Sequence, residues 1–322
     1  MLTNLIQINK FPVRPVLPIL LKDKTTNKNI IWATSSYKDL GNEYADDVEI
    51  TTGALIGMDA IRLQPRVLKA QAEQQERTKA HAEVFTPSWI CNQMNNFCDE
   101  EWFGRKDVFN VQDGHAWTAS EGPVTFPAKK VKVPLWQRYV DSRRLEITCG
   151  EAPFIVSRYD AATGEEIPIP QRIGLLDRKL RIVNENAADE EAWLKWTLRA
   201  FQSVYGYEYQ GDNLLLARIN LLMTFVECLA ARWQREPTAK ELKKLANVIA
   251  WNFWQMDGLK GTVPLGEPED LHQQITFDDL FGFDLGFGSD APQGKKTPRC
   301  RIFDWRTNES LPFENVGKEK NA

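Results

Sequence analysis

The chain has 322 residues, 43% hydrophobic and 26% charged, with a formal net charge of −4. That length and balance suit a globular protein with a large core, and they are too acidic for a chain that grips nucleic acid by charge alone. No window approaches ~18 uninterrupted apolar residues, and the N-terminus lacks a basic start and a small-residue cleavage site, so neither a membrane span nor export is expected.

Cys91, Cys98, Cys149, Cys228 and Cys300 are odd in number and include no C-x-x-C pair. This argues against a disulfide framework or zinc ribbon and for a reducing, cytoplasmic setting. His81, His115 and His272 stand far apart, and no metal site is expected.

Residues 1–63 read as a β-rich N-terminal extension of mixed β/helical character. "VLPILL" and "NIIWATSS" are short apolar runs bounded by Pro, Lys and Asn, as strands are. Residues 65–81 are dense in helix formers after Pro65. A second helix is expected from Ser88, with Trp89, Cys91, Met94, Phe97 and Cys98 recurring at roughly helical spacing, so that both cysteines read as core residues. Residues 105–142 look irregular, with Gly and Pro turn signals. Two basic runs, residues 127–144 and 177–181, read as solvated surface.

Residues 145–148 read as a strand and 154–157 as the start of a helix behind Pro153. Residues 189–203 form an amphipathic helix pattern with Trp193, Trp196 and Ala200 on one side. "VYGYEY" reads as a strand and "GDNLLLARINLLMTFVECLAARWQRE" as a long helix. Pro237 and Thr238 separate it from "AKELKKLANVI", a further helix. "IAWNFWQMDGL" is strand-like up to Gly258. Residues 264–300 look loop-like, "CRIFDW" is a short apolar run, and 306–322 form a polar tail. Strands alternating with helices from about residue 145 argue for a doubly wound parallel α/β sheet, with the ligand beyond the carboxyl ends of the strands.

Four segments carry a resemblance: "EVFTP" (residues 83–87), "LEITCGEAPF" (145–154), "VYGYEYQGDNLLLARINLL" (204–222) and "WNFWQMDGL" (251–259). In that order they resemble the cofactor motifs of adenine-N6 DNA methyltransferases, including the modification subunits of restriction systems. The resemblance spans residues 64–305, and residues 1–63 carry no motif of the family. It implies a Rossmann-like methyltransferase domain over 64–305 and S-adenosyl-L-methionine as cofactor. Such a cofactor presents a sulfonium, an ammonium, two ribose hydroxyls and an adenine amine. Its pocket needs carboxylates, a close backbone approach and apolar walls.

By that resemblance, Phe85, Thr86 and Pro87 close over the methionine end. Gly150 approaches the methionine portion, and Glu146 and Glu151 accept from its ammonium. Glu208 takes both ribose hydroxyls, as acidic residues do at dinucleotide sites. Asp257 receives the adenine amine, with Met256 or Leu259 against the ring. The turn here has one glycine where the family usually has more.

The family's methyl-transfer motif, Asn/Asp/Ser-Pro-Pro-aromatic, accepts from the amine of a flipped adenine. This sequence contains no Pro-Pro, so no catalytic residue is assigned. The resemblance therefore implies a second chain carrying that motif and target recognition. Double-stranded DNA is then contacted through the complex, within a restriction–modification or phage-defence system. "CRIFDW" is expected at the sheet edge where the partner's catalytic strand would continue it. A non-catalytic scaffold and a self-sufficient methyltransferase with a divergent motif stay open beside this reading. A DNA-binding module without cofactor is disfavoured by the acidic balance.

Overall fold

The computed structural model describes residues 6–57, 60–61, 63–69, 86–128, 131–268 and 295–316. The fold is mixed α/β. In chain order it contains the short helices α1 (Leu17–Leu20) and α2 (Thr52–Ile56), then α3 (Ser88–Phe103) and a hairpin of β1 (Asn110–Asp113) and β2 (Ala116–Ala119). Next come α4 (Leu135–Val140), β3 (Arg144–Glu146), α5 (Leu175–Asn186), α6 (Glu190–Gln202) and β4 (Val204–Glu208). They are followed by α7 (Gly211–Trp233), α8 (Ala239–Asn252) and β5 (Phe253–Gln255). The parallel pair β6 (Gly266–Pro268) and β7 (Lys295–Thr297) and the antiparallel pair β8 (Arg301–Asp304) and β9 (Glu309–Pro312) complete it.

The sheet that organises the molecule has three parallel strands in the order β3-β4-β5. Gly206 is its pivot, opposite Glu146 on one side and Phe253 on the other. Parallel neighbours need long crossovers, which α5–α6 and α7–α8 supply. Alternate strand residues face opposite sides. Val204 and Phe253 join the helical core, while Tyr205, Tyr207 and Trp254 pack against Cys300 and Ile302 of the carboxyl-terminal hairpin. One face of the sheet is thus covered by helices and the other by the β8–β9 hairpin.

Helix boundaries follow their caps. Asp189 accepts from Ala192 N at the start of α6, and Thr238 forms a capping box with Glu241 at the start of α8. Helix α8 runs on to Asn252, so the strand expected over "IAWNFWQMDGL" is confined to Phe253–Gln255. Helix α7 is apolar and long enough by composition to cross a bilayer, but it lies mostly buried against α1, α5, α8, β4 and β5 as the core helix.

Several expectations are corrected. "VLPILL" is helical, not a strand: Pro15 and Pro18 fix φ and remove ladder donors, giving a 3₁₀ turn that runs into α1. Among the described residues the extension's β character is limited to isolated bridges such as Ile31–Glu49. Most of the helix expected over 65–81 lies outside the described residues, and Arg66–Leu68 forms a 3₁₀ turn. Residues 105–142 hold the β1–β2 hairpin and α4. Residues 154–157 do not begin a helix. Ser157 donates its N–H and its hydroxyl to Asp177, and the next α-helix begins only at Leu175, after a 3₁₀ turn at Ile169–Gln171. The run "CRIFDW" pairs with β9 and lies across the sheet face instead of extending its edge, although Asp304 bonds Arg143 at 2.7 Å just before β3.

The two largest corrections concern charge. Helix α3 forms where expected, but it buries Asn92, Asn95 and Asp99 and exposes Met94 and Phe97. The reason is the run at 177–181, which is interior and not solvated. Arg178 is 1% exposed and bonds Asp99, Asn92, Asn96 and the Ile173 carbonyl. Lys179 is buried and donates to Val140 O, Ser142 O and Ser203 Oγ. Burial lowers its pKa well below the usual lysine range.

The N-terminal extension shares one hydrophobic core with the rest of the chain: Leu17, Leu20 and Trp32 cluster with residues of α5, α7 and α8. Glycine is required where the two meet. A Cβ on Gly211 would lie 1.9 Å from the Ile31 carbonyl oxygen.

The Arg178–Asp99 pair generates a stability prediction. Removing one partner of a buried ion pair strands the other charge. Asp99→Ala is expected to destabilise the chain by about 3–5 kcal/mol in urea unfolding. A loss below about 1 kcal/mol, the range of exposed pairs, would show that Arg178 is solvated in solution.

Candidate functional site

Strands β3 and β4 end side by side, and their carboxyl ends carry the candidate site. After β3 the chain turns through Thr148, Cys149, Gly150, Glu151 and Ala152. Thr148, Gly150 and Ala152 all adopt left-handed backbone, with φ of 49°, 54° and 67°. Two of the three are not glycine, so the turn holds strain at the strand end. Cys149 N donates to Tyr207 O at 2.8 Å, which anchors the turn to β4. At Gly150 the left-handed conformation comes without a side-chain penalty.

That turn aims the Gly150 N–H at Glu208. Gly150 N donates to Glu208 Oε2 at 2.8 Å, and Gln210 N donates to Oε1 at 3.1 Å. Glu208 is 7% exposed. Burial pushes its carboxyl up to about 7, against backbone N–H donors that favour the ionised form. Glu146, paired in register with Gly206, has its Oε2 buried without a hydrogen-bond partner. Burial and then the charge of Glu208 push its carboxyl well above the usual range.

The remaining residues named from sequence divide. Pro87 precedes α3 as its N-cap residue, and the Cys91 thiol donates to Thr86 O at 3.7 Å. Burial and then the charge of Glu146 raise that thiol's pKa. Phe85 lies outside the described residues. Glu151 is engaged by the fold: Oε1 accepts from Arg66 N at 2.6 Å and Oε2 from the Tyr159 hydroxyl at 2.7 Å. Asp257 is at the end of β5, where Oδ1 accepts from Leu259 N at 2.9 Å and Lys260 N at 3.2 Å and so closes a turn. Met256 is buried under the carboxyl-terminal hairpin and Leu259 is fully exposed.

The structure adds residues that sequence reading missed. Asp212, buried in the first turn of α7, accepts from the Tyr37 hydroxyl at 2.9 Å and pairs with Lys69 at 3.4 Å. Its charge acts on Glu208. Gln255, at the end of β5, exchanges two hydrogen bonds with Ile31 and donates a third to Tyr209 O. The N-terminal extension thereby walls the carboxyl ends of the strands. "YQGD" marked a helix start, but nothing in it pointed to Tyr37 or Lys69.

Two buried carboxylates at adjacent strand ends favour a ligand that is cationic and rich in N–H or O–H donors. The Cys149 thiol beside them is pushed well up by burial and then by Glu146, so it is no nucleophile. Among the described residues, no group of three or more His, Cys, Asp or Glu could hold a metal ion. No family model matches the chain, and no curated protein or solved structure is significantly similar to it.

The carboxylate pair predicts a pH dependence. Glu208 holds its proton more tightly folded than unfolded. Its stabilising contribution is therefore complete below its ordinary value of 4.5 and is lost as pH rises through about 7. Ligand-free chain should lose about 3 kcal/mol of stability across that window from Glu208 alone. Denaturant unfolding at successive pH values measures it, and Glu208→Gln should flatten the slope. An unchanged slope in the variant would assign the effect elsewhere.

Proposed function

We propose that the chain is the S-adenosylmethionine-binding subunit of a two-chain adenine-N6 DNA methyltransferase. On this reading β3-β4-β5 is part of a doubly wound, Rossmann-like sheet, and a partner supplies the Asn-Pro-Pro-aromatic motif. One observation carries the reading: the Glu208 carboxylate meets the Gly150 turn across adjacent parallel strand ends. That is where ligands of open α/β sheets bind.

The chemistry of the site fits the cofactor. Glu208 would release its backbone donors to take the ribose hydroxyls. Glu146, unpartnered at Oε2, would receive the ammonium. A sulfonium and an ammonium together offset the mutual repulsion of two buried carboxylates. The interior basic run at 177–181 leaves less positive charge on this chain's surface for DNA, which supports assigning much of that contact to the complex.

A second reading has its own support. Glu208 and Glu151 already accept internal hydrogen bonds, as they would in a scaffold that kept the fold and closed the pocket on itself. Calorimetry with S-adenosylmethionine separates the two. Binding is expected, and Glu208→Ala should weaken it by about 1–3 kcal/mol through lost charged hydrogen bonds, while Cys149→Ser changes little. Absence of binding by the wild type, alone and with its partner, would leave the scaffold.

The partner's docking site is read from the sheet. Among the described residues β3 pairs with β4 alone, so its outer edge is open. Leu145 is 45% and Ile147 64% exposed beside it. An apolar open edge is a template for another chain's strand. Purified alone, the chain should not methylate DNA. Co-expressed with the partner it should, and the double substitution Leu145→Lys with Ile147→Lys should abolish both heteromer and methylation while cofactor binding persists. Methylation by the chain alone at high purity would refute the two-chain reading.

A further inference from the structure

A second site lies among the helices, away from the strand ends. Helices α6 and α8 pack against each other and leave a slot of about 290 Å³ between them. That is the small end of ligand pockets. Leu194 and Leu198 line it from α6, Leu245 from α8 and Phe225 from α7. Leu194 and Leu198 are one helical turn apart and so share a face of α6.

The polar side chains along the slot divide into those already used and those left free. Thr197 is 1% exposed, so its hydroxyl is out of a ligand's reach. Glu241 accepts from Arg235 Nη2 at 2.7 Å, from Arg235 Nη1 at 3.0 Å and from Thr238 N at 2.7 Å. The Arg235 bonds hold its carboxyl down at about 2, so it stays ionised with its charge already paired. Arg235 also takes Glu190 at 2.5 Å. Three lysines remain: Lys195 on α6, and Lys240 and Lys244 on α8. All three are exposed, and among the described residues none forms a hydrogen bond or an ion pair. Lys240 and Lys244 stand one turn apart on the same helix, where like charges repel. An apolar slot is thus bordered by three unpaired cations, and its one carboxylate is spent on Arg235.

We propose that this slot binds a single unbranched acyl chain of medium length that ends in a carboxylate. The tail lies against Leu194, Leu198, Leu245 and Phe225, and the carboxylate sits among the lysines. Lysine stems are flexible, so the ammonium groups reach an anion at the mouth without a preset geometry. A nucleobase or a peptide backbone would carry donors and acceptors against walls that offer them no partner. A cationic amphiphile would meet three like charges.

The test uses the full chain and calorimetry with octanoate, hexanoate, octanol and octylammonium, all below micelle-forming concentrations. Octanoate should bind at least tenfold more tightly than octanol, and octylammonium should give no binding heat. Hexanoate should be about tenfold weaker than octanoate, since two fewer methylenes leave water. Added salt should weaken octanoate and leave octanol unchanged. The triple substitution Lys195→Gln, Lys240→Gln and Lys244→Gln changes only exposed side chains, so the fold should persist while octanoate falls to the level of octanol. Leu198→Trp, which narrows the slot and keeps the lysines, should weaken both at least tenfold. Glu208→Ala should leave octanoate binding unchanged, which keeps this site's fate separate from that of the strand-end site. Any of four results would overturn the proposal: no octanoate binding at millimolar concentration, octanoate no tighter than octanol, a preference that survives the triple substitution, or affinity indifferent to chain length. Displacement of octanoate by an equal concentration of a capped peptide that alternates leucine and glutamate would overturn it too, and would assign the slot to a protein partner.

Discussion

The guanidinium of Arg218, in the middle of the core helix α7, joins parts of this molecule that are far apart in sequence. Arg218 is fully buried. It donates to Leu20 O and Lys22 O of the N-terminal segment, and to Ala250 O and Phe253 O where α8 gives way to β5. These acceptors are carbonyls that a helix end or strand start leaves without a backbone donor. One side chain satisfies them together and fixes the extension, the last crossover helix and the third strand to the same point. Burial pulls its pKa down to about 10, still far above neutrality. A charged group is retained there because an apolar residue would leave at least four buried carbonyls to find other donors.

The same device recurs. Arg178 ties α5 to α3, and Lys179 ties α5 to the carbonyls after α4. Arg181 donates to Phe109 O and Ser120 O across the β1–β2 hairpin. Arg218, Lys179 and Arg181 donate chiefly to backbone carbonyls, whereas Arg178 bonds the side chains of Asp99, Asn92 and Asn96 as well as the Ile173 carbonyl. That economy explains how short, irregular segments pack so closely against helices with few regular strands. It also makes the strand-end site stand apart. There the buried groups are carboxyls, and Glu146 Oε2 has no hydrogen-bond partner.

Legibility from sequence followed the range of the interaction. Helices α6 and α8 were readable because their signals are local: a capping Asp189 or Thr238 followed by apolar residues at helical spacing. Strand β4 and the glycine turn were readable for the same reason, but the hydrogen bond from Gly150 to Glu208 was not. Helix α3 starts where the sequence places it and buries Cys91 as expected, but its inward face also carries Asn92, Asn95 and Asp99. Its inward face is set by Arg178, 79 residues from Asp99, and no periodicity in the helix itself carries that information. The basic run at 177–181 was misread on the same account. Within the site, Asp212 meets Lys69 across 143 residues and Tyr37 across 175. Contacts of that separation leave no mark on either local segment.

The unbonded buried atoms bear on function because of where they fall. Among the described residues they are Arg144 Nη2, Glu146 Oε2, Arg172 Nη1, Asp177 Oδ1, Thr197 Oγ1 and Trp233 Nε1. Packing defects would scatter. Four of these instead form two couples, each an arginine with a carboxylate. Arg144 and Glu146 lie on the open edge strand β3, and Arg172 and Asp177 line one cavity beside α5. Neither couple forms an ion pair, whereas Arg178 and Arg218 each donate to several acceptors. A chain that satisfies Arg178 and Arg218 so completely has the means to close these couples too. Each unclosed atom instead carries a desolvation cost that the packing around it must offset.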